Sequence, residues 1–161
     1  MRVPILIAMI VCALAAPAAA AEWGGLVPGV TTMDAVRARH GGPTRADAQK
    51  TEGYDTASWT YEGTQAPPGM KRMVVDFGLV SGGQFRRDVV RTFRLEPNLG
   101  AFDRRTIIAG WGPPTRSGRE ADGDVFIYAE GLIVHFEKDN FRPRLMMFTP
   151  PQPLDQPPAK P

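Results

Sequence analysis

Two stretches of this chain repeat one another. Residues 29–45 align without a gap with residues 100–116. Both stretches begin with glycine, carry an aliphatic residue midway (Val36 and Ile107) and end in Pro-Thr-Arg. Because an internal match of this kind indicates one structural unit used twice, the sequence predicts a chain built by duplication.

Each repeated stretch has the pattern of a short helix. Thr31 or Thr32, with Asp34 close behind, offers an N-cap to the first helix, and Asp103 offers one to the second. Apolar and aromatic residues at helical spacing predict one buried stripe on each helix: Met33, Val36 and His40, and Ile107, Ile108 and Trp111. Glycine followed by proline predicts where each helix ends. Helices this short are unstable alone in water, so we expect both to pack on a sheet.

Three strands are predicted after each helix, from alternating apolar residues bounded by glycine and proline. They cover residues 57–62, 72–77 and 88–96 in the first copy, and 125–129, 132–137 and 144–149 in the second. The predicted fold class is α+β: tandem αβββ repeats that form an antiparallel sheet with short helices packed on one face. The predicted parts are a signal peptide, two repeats and a proline-rich disordered tail, over residues 1–21, 22–97, 98–150 and 151–161.

The N-terminus has the composition of a secretory signal peptide. Arg2 supplies an early positive charge, residues 5–14 form an apolar core, and alanines fill residues 18–21. We therefore expect cleavage after Ala20 or Ala21. The alternative, a membrane anchor, is disfavoured because the apolar core is shorter than the roughly 20 residues that a spanning helix needs.

The cysteine content and the charge balance exclude several classes of protein. Cys12 follows Val11 rather than the small residue of a lipobox, so we expect no lipidation and no stable membrane anchor after cleavage. Cleavage would also remove the single cysteine. The chain has 19 basic and 17 acidic residues, which is not the basic excess of a nucleic-acid-binding protein. We expect a periplasmic or secreted protein with no nucleic-acid partner.

The sequence predicts no catalytic site, cofactor site or metal site. His40 takes the place that Trp111 has in the second repeat, and we interpret it as structural. His135 alternates with Val134 and Phe136, which places it on the opposite strand face, and we interpret it as lining the surface. Asp122 and Asp124 flank a glycine and predict a turn, because the ligand spacing of a calcium loop is missing. We expect a protein that is not an enzyme.

The order of the motifs resembles a known family. The first copy carries Gly29-Val30-Thr31, Gly41-Gly42-Pro43, Trp59-Thr60-Tyr61 and Pro97. The second copy carries Gly100, Gly112-Pro113-Pro114, Phe126-Ile127-Tyr128 and Pro150. This order resembles the SmpA/OmlA (BamE) class of small envelope proteins, and its tandem form resembles the beta-lactamase inhibitor protein family. The resemblance implies a helix-backed antiparallel sheet, export, and protein binding rather than catalysis.

Strand alternation predicts a sheet face that could bind a partner. The larger apolar sets of the strands should face the helices, so their neighbours line the opposite face. The predicted partner-binding face is Val74, Asp76, Ile133, His135 and Glu137. Alternation assigns Trp59 and Tyr61 neither to the core nor to this face. The leading hypothesis is a non-enzymatic protein-interaction module of the bacterial cell envelope, with an envelope or secreted protein as partner. The alternative is a small-molecule or lipid carrier that uses the curved sheet as a pocket.

Overall fold

Residues 19–152 form an α+β fold of two short helices and one antiparallel sheet of eight strands. The computed structural model describes residues 19–152, so most of the predicted signal peptide and of the predicted tail lies outside the described residues. The first half contains α1 (Met33–His40), β1 (Arg45–Thr51), β2 (Tyr54–Glu62), β3 (Met70–Ser81) and β4 (Gln84–Pro97). The second half contains α2 (Arg104–Trp111), β5 (Arg116–Glu120), β6 (Gly123–Ile127), β7 (Leu132–Phe136) and β8 (Pro143–Phe148).

The strands lie in the order β1-β2-β3-β4-β8-β7-β6-β5. Each half is a meander in which successive strands pair with their neighbours in sequence. The two meanders join where β4 pairs with β8. This pairing leaves β1 and β5 as the edges of the sheet, and both have strongly exposed polar residues, as edge strands commonly do.

The prediction of three strands per helix is wrong, because four strands follow each helix. The additional strands are β1 and β5, which the sequence pattern does not predict. Their sequences, RADAQKT and RSGRE, have no apolar alternation. An edge strand that is exposed on both faces needs no apolar side, so the pattern that identifies a half-buried strand is missing from it.

The helices begin at the predicted caps. Thr32 Oγ1 accepts a hydrogen bond from the Ala35 amide at 3.4 Å. Asp103 Oδ1 accepts one from the Thr106 amide at 2.7 Å, and Thr106 Oγ1 accepts one from the Asp103 amide at 2.9 Å, which completes a capping box. The Thr106 amide also lowers the pKa of the Asp103 carboxyl, because it stabilises the charged form. Among residues 19–152, neither helix has the length and apolar content needed to cross a membrane.

The buried stripe of each helix is narrower than predicted. Val36 and Ile107 are fully buried under their helices, and Met33 and Trp111 pack against the core from its margin. Ile108 is 39% exposed, so its predicted place in the stripe is wrong. Successive side chains of a helix are rotated by about 100° around its axis, so only a few of the eight residues in each helix face the sheet.

The core lies between the helices and one face of the sheet. It includes Trp59 and Tyr61, which are buried. Trp59 meets Phe77 edge to face, with ring centroids 4.8 Å apart. Phe93 and Phe148 stack across the junction of the two meanders, with centroids 4.4 Å apart. Large aromatic groups therefore fill the centre of both halves.

His40 lies at the end of α1 in a partly buried position. Its ring meets Tyr61 at 62°, with centroids 6.2 Å apart. Its Nε2 atom is buried and has no hydrogen-bond partner. Burial, and then the charge of Arg39, lower the pKa of His40 below its ordinary value of 6.5. The folded state therefore favours the neutral imidazole.

This lowered pKa predicts a dependence of stability on pH. Protons bind His40 more readily in the unfolded chain, so the folded chain is destabilised as the pH falls below about 6.5. We expect the stability of the wild type relative to His40→Gln to decrease between about pH 7.5 and about pH 5.5. Denaturant unfolding at both pH values measures the difference. A difference that is independent of pH would contradict the lowered pKa.

Burial of the helix stripe predicts the cost of truncating it. Ile107→Ala should lower the free energy of unfolding by about 2 to 4 kcal/mol, because it leaves a cavity under α2. Val36→Ala should act in the same direction with a smaller loss, since fewer methyl groups are removed. Ile108→Ala on the exposed side is the matched control and should cost less than about 1 kcal/mol. Equal losses of unfolding free energy at Ile107 and Ile108 would contradict the assignment of Ile107 to the buried side of α2.

Candidate functional site

The helices cover one face of the sheet and leave the other uncovered. Of β3 and β7, the residues predicted to face the helices are all buried: Met73, Val75, Phe77, Leu132, Val134 and Phe136. The residues between them point to the opposite side, because successive side chains of a strand alternate. We call this uncovered side the open face.

One row of paired residues crosses the open face from edge to edge. Its members, from β1 to β5, are Arg45, Thr60, Val74, Arg94, Met147, Ile133, Ile127 and Arg116. We call it the cross-sheet row. The first half contributes two arginines, a threonine and a valine, whereas the second contributes a methionine, two isoleucines and an arginine. Polar groups therefore concentrate in one half of the open face and aliphatic groups in the other.

A largely buried carboxylate organises the polar half. Asp76 Oδ1 accepts a hydrogen bond from Ser58 Oγ at 2.7 Å. Its Oδ2 atom accepts from Thr92 Oγ1 at 3.2 Å and from Arg94 Nη2 at 3.3 Å. These partners lie on β2 and β4, on either side of β3, so one side chain connects three strands. The Asp76 side chain is 12% exposed, which leaves little of it open to a ligand.

Further charged pairs lie on the same three strands as Asp76 and its partners. Arg72 Nε lies 3.8 Å from Oε2 of Glu62 on β2. Arg72 Nη1 lies 3.8 Å from Oε1 of Glu96 on β4. A cavity of about 300 Å³ opens above these strands, and among its ten lining residues Val74 and Leu145 are the aliphatic ones. The concave part of the open face is therefore polar, with positive and negative groups close together.

The other half of the open face is aliphatic. The residues that form this aliphatic patch are Val125, Ile127, Ile133, Leu145 and Met147, on β6, β7 and β8. Val125 is buried by its neighbours, and the other four are partly exposed. Because neither helix of the described part of the chain covers this side, these four side chains retain contact with water.

An ionic cluster borders the aliphatic patch. Glu120 Oε2 lies 2.9 Å from His135 Nδ1 and 3.5 Å from Arg144 Nη2. The His135 side chain is 18% exposed. The Nε atom of Arg144 is buried without a hydrogen-bond partner. The patch therefore has a charged border on the side of β5.

The five predicted face residues occupy three kinds of position. Val74, Ile133 and His135 lie on the open face and are partly exposed. Asp76 lies on the same face but is enclosed by its hydrogen-bond partners. Glu137 follows the end of β7, where its amide donates to a carbonyl across a turn at 2.8 Å. Glu137 is therefore at the margin of the face, because the strand alternation ends before it.

Sequence reasoning did not identify several members of the open face, among them Thr60, Arg72, Arg94 and Met147. Alternation along β4 carries a signal for Arg94, because its neighbours Phe93 and Leu95 are large and apolar. No local signal pairs Arg94 with Met147, since their strands are distant in sequence and meet only through the register of β4 and β8.

Asp124, in the acidic segment where β6 begins, forms hydrogen bonds with two arginines. Asp124 Oδ2 accepts a hydrogen bond from Arg104 Nη1 at 2.9 Å, and Oδ1 accepts one from Arg119 Nε at 3.2 Å. The Arg104 hydrogen bond is the main reason why the pKa of Asp124 is lowered. This carboxylate therefore has two cationic partners.

Comparison of the chain with protein-family models, with curated protein sequences and with solved structures finds no match. Arguments about its function therefore rest on the chemistry of the chain itself.

The hydrogen bonds of Asp76 predict that its loss destabilises the fold. Asp76→Ala should lower the free energy of unfolding by about 1 to 3 kcal/mol, because it leaves enclosed hydroxyl groups without a partner. Asp47→Ala, which removes an exposed partner of Arg45, is the control and should cost less than about 1 kcal/mol. Denaturant unfolding measures both. If the two losses are equal, Asp76 does not organise the polar half.

Proposed function

We propose that this chain is an exported, non-enzymatic protein-interaction module of the bacterial cell envelope, and that it binds an envelope or secreted protein on the open face. The observation that carries this proposal is the arrangement along the cross-sheet row, in which an aliphatic patch lies beside a polar half with paired charges. Protein interfaces combine an apolar centre with polar groups around it.

The aliphatic patch supplies the apolar part of such an interface. Ile127, Ile133, Leu145 and Met147 are partly exposed and adjacent to one another. Burying apolar surface contributes about 25 cal/mol per Å². Because the strands hold these side chains in place, a partner would bind them with little loss of backbone entropy.

The polar half supplies directional contacts. Arg72 and Arg94 have side chains that are 37% and 43% exposed, so parts of their guanidinium groups remain accessible. Asp76 forms an ion pair with Arg94, and Glu62 and Glu96 lie on either side of Arg72. A partner with acidic or carbonyl groups opposite these arginines would gain charge-assisted hydrogen bonds. Such contacts discriminate between partners more than they add affinity.

The chemistry of the concavity favours a protein partner over an apolar small molecule or a lipid. Pockets for such ligands are lined mainly by hydrophobic and aromatic side chains. The cavity of the open face is lined mainly by charged and hydroxyl groups. Its aliphatic neighbours lie side by side on β6, β7 and β8, as suits a broad protein contact.

The proposal includes an origin of both halves in one duplicated unit of the SmpA/OmlA (BamE) type. Tyr61 Oη donates a hydrogen bond to the carbonyl of Gly41 at 3.2 Å. Tyr128 Oη donates one to the carbonyl of Gly112 at 3.1 Å. Each glycine follows its helix with a positive φ, +76° and +79°, a region that favours glycine. The same contact thus connects strand and helix end in both halves, at positions that the sequence repeat makes equivalent.

Matched charge substitutions on the two faces test the proposal. Ile133→Glu places a carboxylate in the aliphatic patch and should weaken binding of an envelope partner about tenfold or more. Ile108→Glu makes the same chemical change on the exposed side of α2 and should leave binding unchanged. Affinity purification from a native envelope extract with quantitative mass spectrometry identifies the partner, and titration of that purified partner measures the affinities.

Thermal unfolding shows whether each variant is folded. Both should melt within a few degrees of the wild type, because each substituted side chain is already partly exposed. If folded Ile133→Glu binds the partner as tightly as Ile108→Glu does, the open face is not the interface.

A further inference from the structure

Among residues 19–152, the first buried residue is Ala21. Ala21 is 6% exposed and belongs to the hydrophobic core. Its backbone nitrogen donates a hydrogen bond of 2.8 Å to the carbonyl of Glu130, in the turn between β6 and β7. Ala19, by contrast, is exposed, and Ala20 is partly exposed. Among the described residues, docking of the N-terminal segment therefore begins at residue 21.

Residues 21–26, which we call the N-terminal strap, contact both halves of the molecule. Trp23 and Leu26 exchange backbone hydrogen bonds of 3.3 Å and 2.9 Å, and Leu26 is fully buried. Arg39 Nη1 on α1 donates to the carbonyl of Gly24 at 3.0 Å. The strap therefore contacts α1 through Gly24, and it contacts the turn between β6 and β7 through Ala21.

We infer that signal peptidase cleaves the bond between Ala20 and Ala21, and that the amino group formed there becomes a structural element of the folded protein. The inference rests on the proposed export but not on what the open face binds. Hydrolysis adds one water across the bond, which leaves a carboxylate on Ala20 of the released peptide and an amino group on Ala21. An α-amino group is protonated below a pH of about 8.

The new charge would meet a suitable environment. The nitrogen that donates to the Glu130 carbonyl would become an ammonium, and its hydrogen bond would become charge-assisted. Glu130, Tyr128 and Trp111 line the same cavity of about 510 Å³ as Ala21, together with Ala19 and Ala20. Because cleavage would remove these two alanines, the site would open further and leave room for water at the other ammonium hydrogens. Burial, and then the charge of Glu130, raise the pKa of Tyr128, which lines this cavity.

The sequence allows cleavage after Ala20 or after Ala21, and the two products differ in the contacts that they keep in the fold. Small residues precede both bonds, so cleavage after Ala20 or after Ala21 satisfies the recognition rule. Cleavage after Ala21 would remove a residue from the core and leave the Glu130 carbonyl without this donor. Cleavage after Ala20 keeps both contacts.

Two measurements test the inference. The intact mass of the exported protein should correspond to a chain that begins at Ala21. A chain produced with this N-terminus from a cleavable fusion should melt about 3 to 6 °C above a chain that begins at Glu22. Glu130→Gln should lower the melting temperature of the Ala21 chain more than that of the Glu22 chain, because only in the Ala21 chain does the ammonium donate to the backbone carbonyl of Glu130 itself.

Glu137→Gln, in another exposed turn, is the matched control and should shift both chains equally. An exported mass that begins at Glu22 would overturn the inference, and so would equal melting temperatures of the two chains. An exported chain that retains residues 1–20 would overturn both the inference and the processing on which it rests. Partner binding is measured separately, with Ile133→Glu and Ile108→Glu.

Discussion

The antiparallel pairing of β4 with β8 is the interaction on which both faces of the sheet depend. Its register consists of the pairs Phe93 with Phe148, Arg94 with Met147 and Leu95 with Met146. The outer pairs point into the core, where the two phenylalanine rings stack 4.4 Å apart. The middle pair points to the open face. A slip of one residue would exchange the faces, so core packing also determines which side chains the open face presents.

The parts of the fold with strong local signals could be predicted from the sequence. Aspartate just before a helical pattern predicts an N-cap, because its side chain can accept a hydrogen bond from an amide in the first turn. Asp103 accepts such a bond in the structure. Val75 and Val134 were predicted to face the helices because large apolar residues flank them at a spacing of two, and both are fully buried. In each case, residues close in sequence carry the whole pattern.

The remaining features depend on contacts between distant segments. β1 and β5 were missed because an edge strand can be polar on both faces. Asp76 was placed on the open face by alternation, but its enclosure follows from Ser58 and Thr92, which reach it from the two neighbouring strands. A local pattern assigns a side chain to a face, whereas its burial on that face depends on which residues stand opposite in the completed sheet.

The two faces of the sheet are under different physical constraints. On the helix side, positions that the proposed duplication would make equivalent carry similar groups, as Tyr61 and Tyr128 do, because each must fill the space beneath a helix. On the open face the equivalent positions differ: Thr60 corresponds to Ile127, and Arg94 to Met147. Either chemistry is compatible with a strand whose outer side meets water, so folding does not require these positions to match. A single asymmetric partner lying across both halves, as proposed above, would act on them unequally and so would account for their difference.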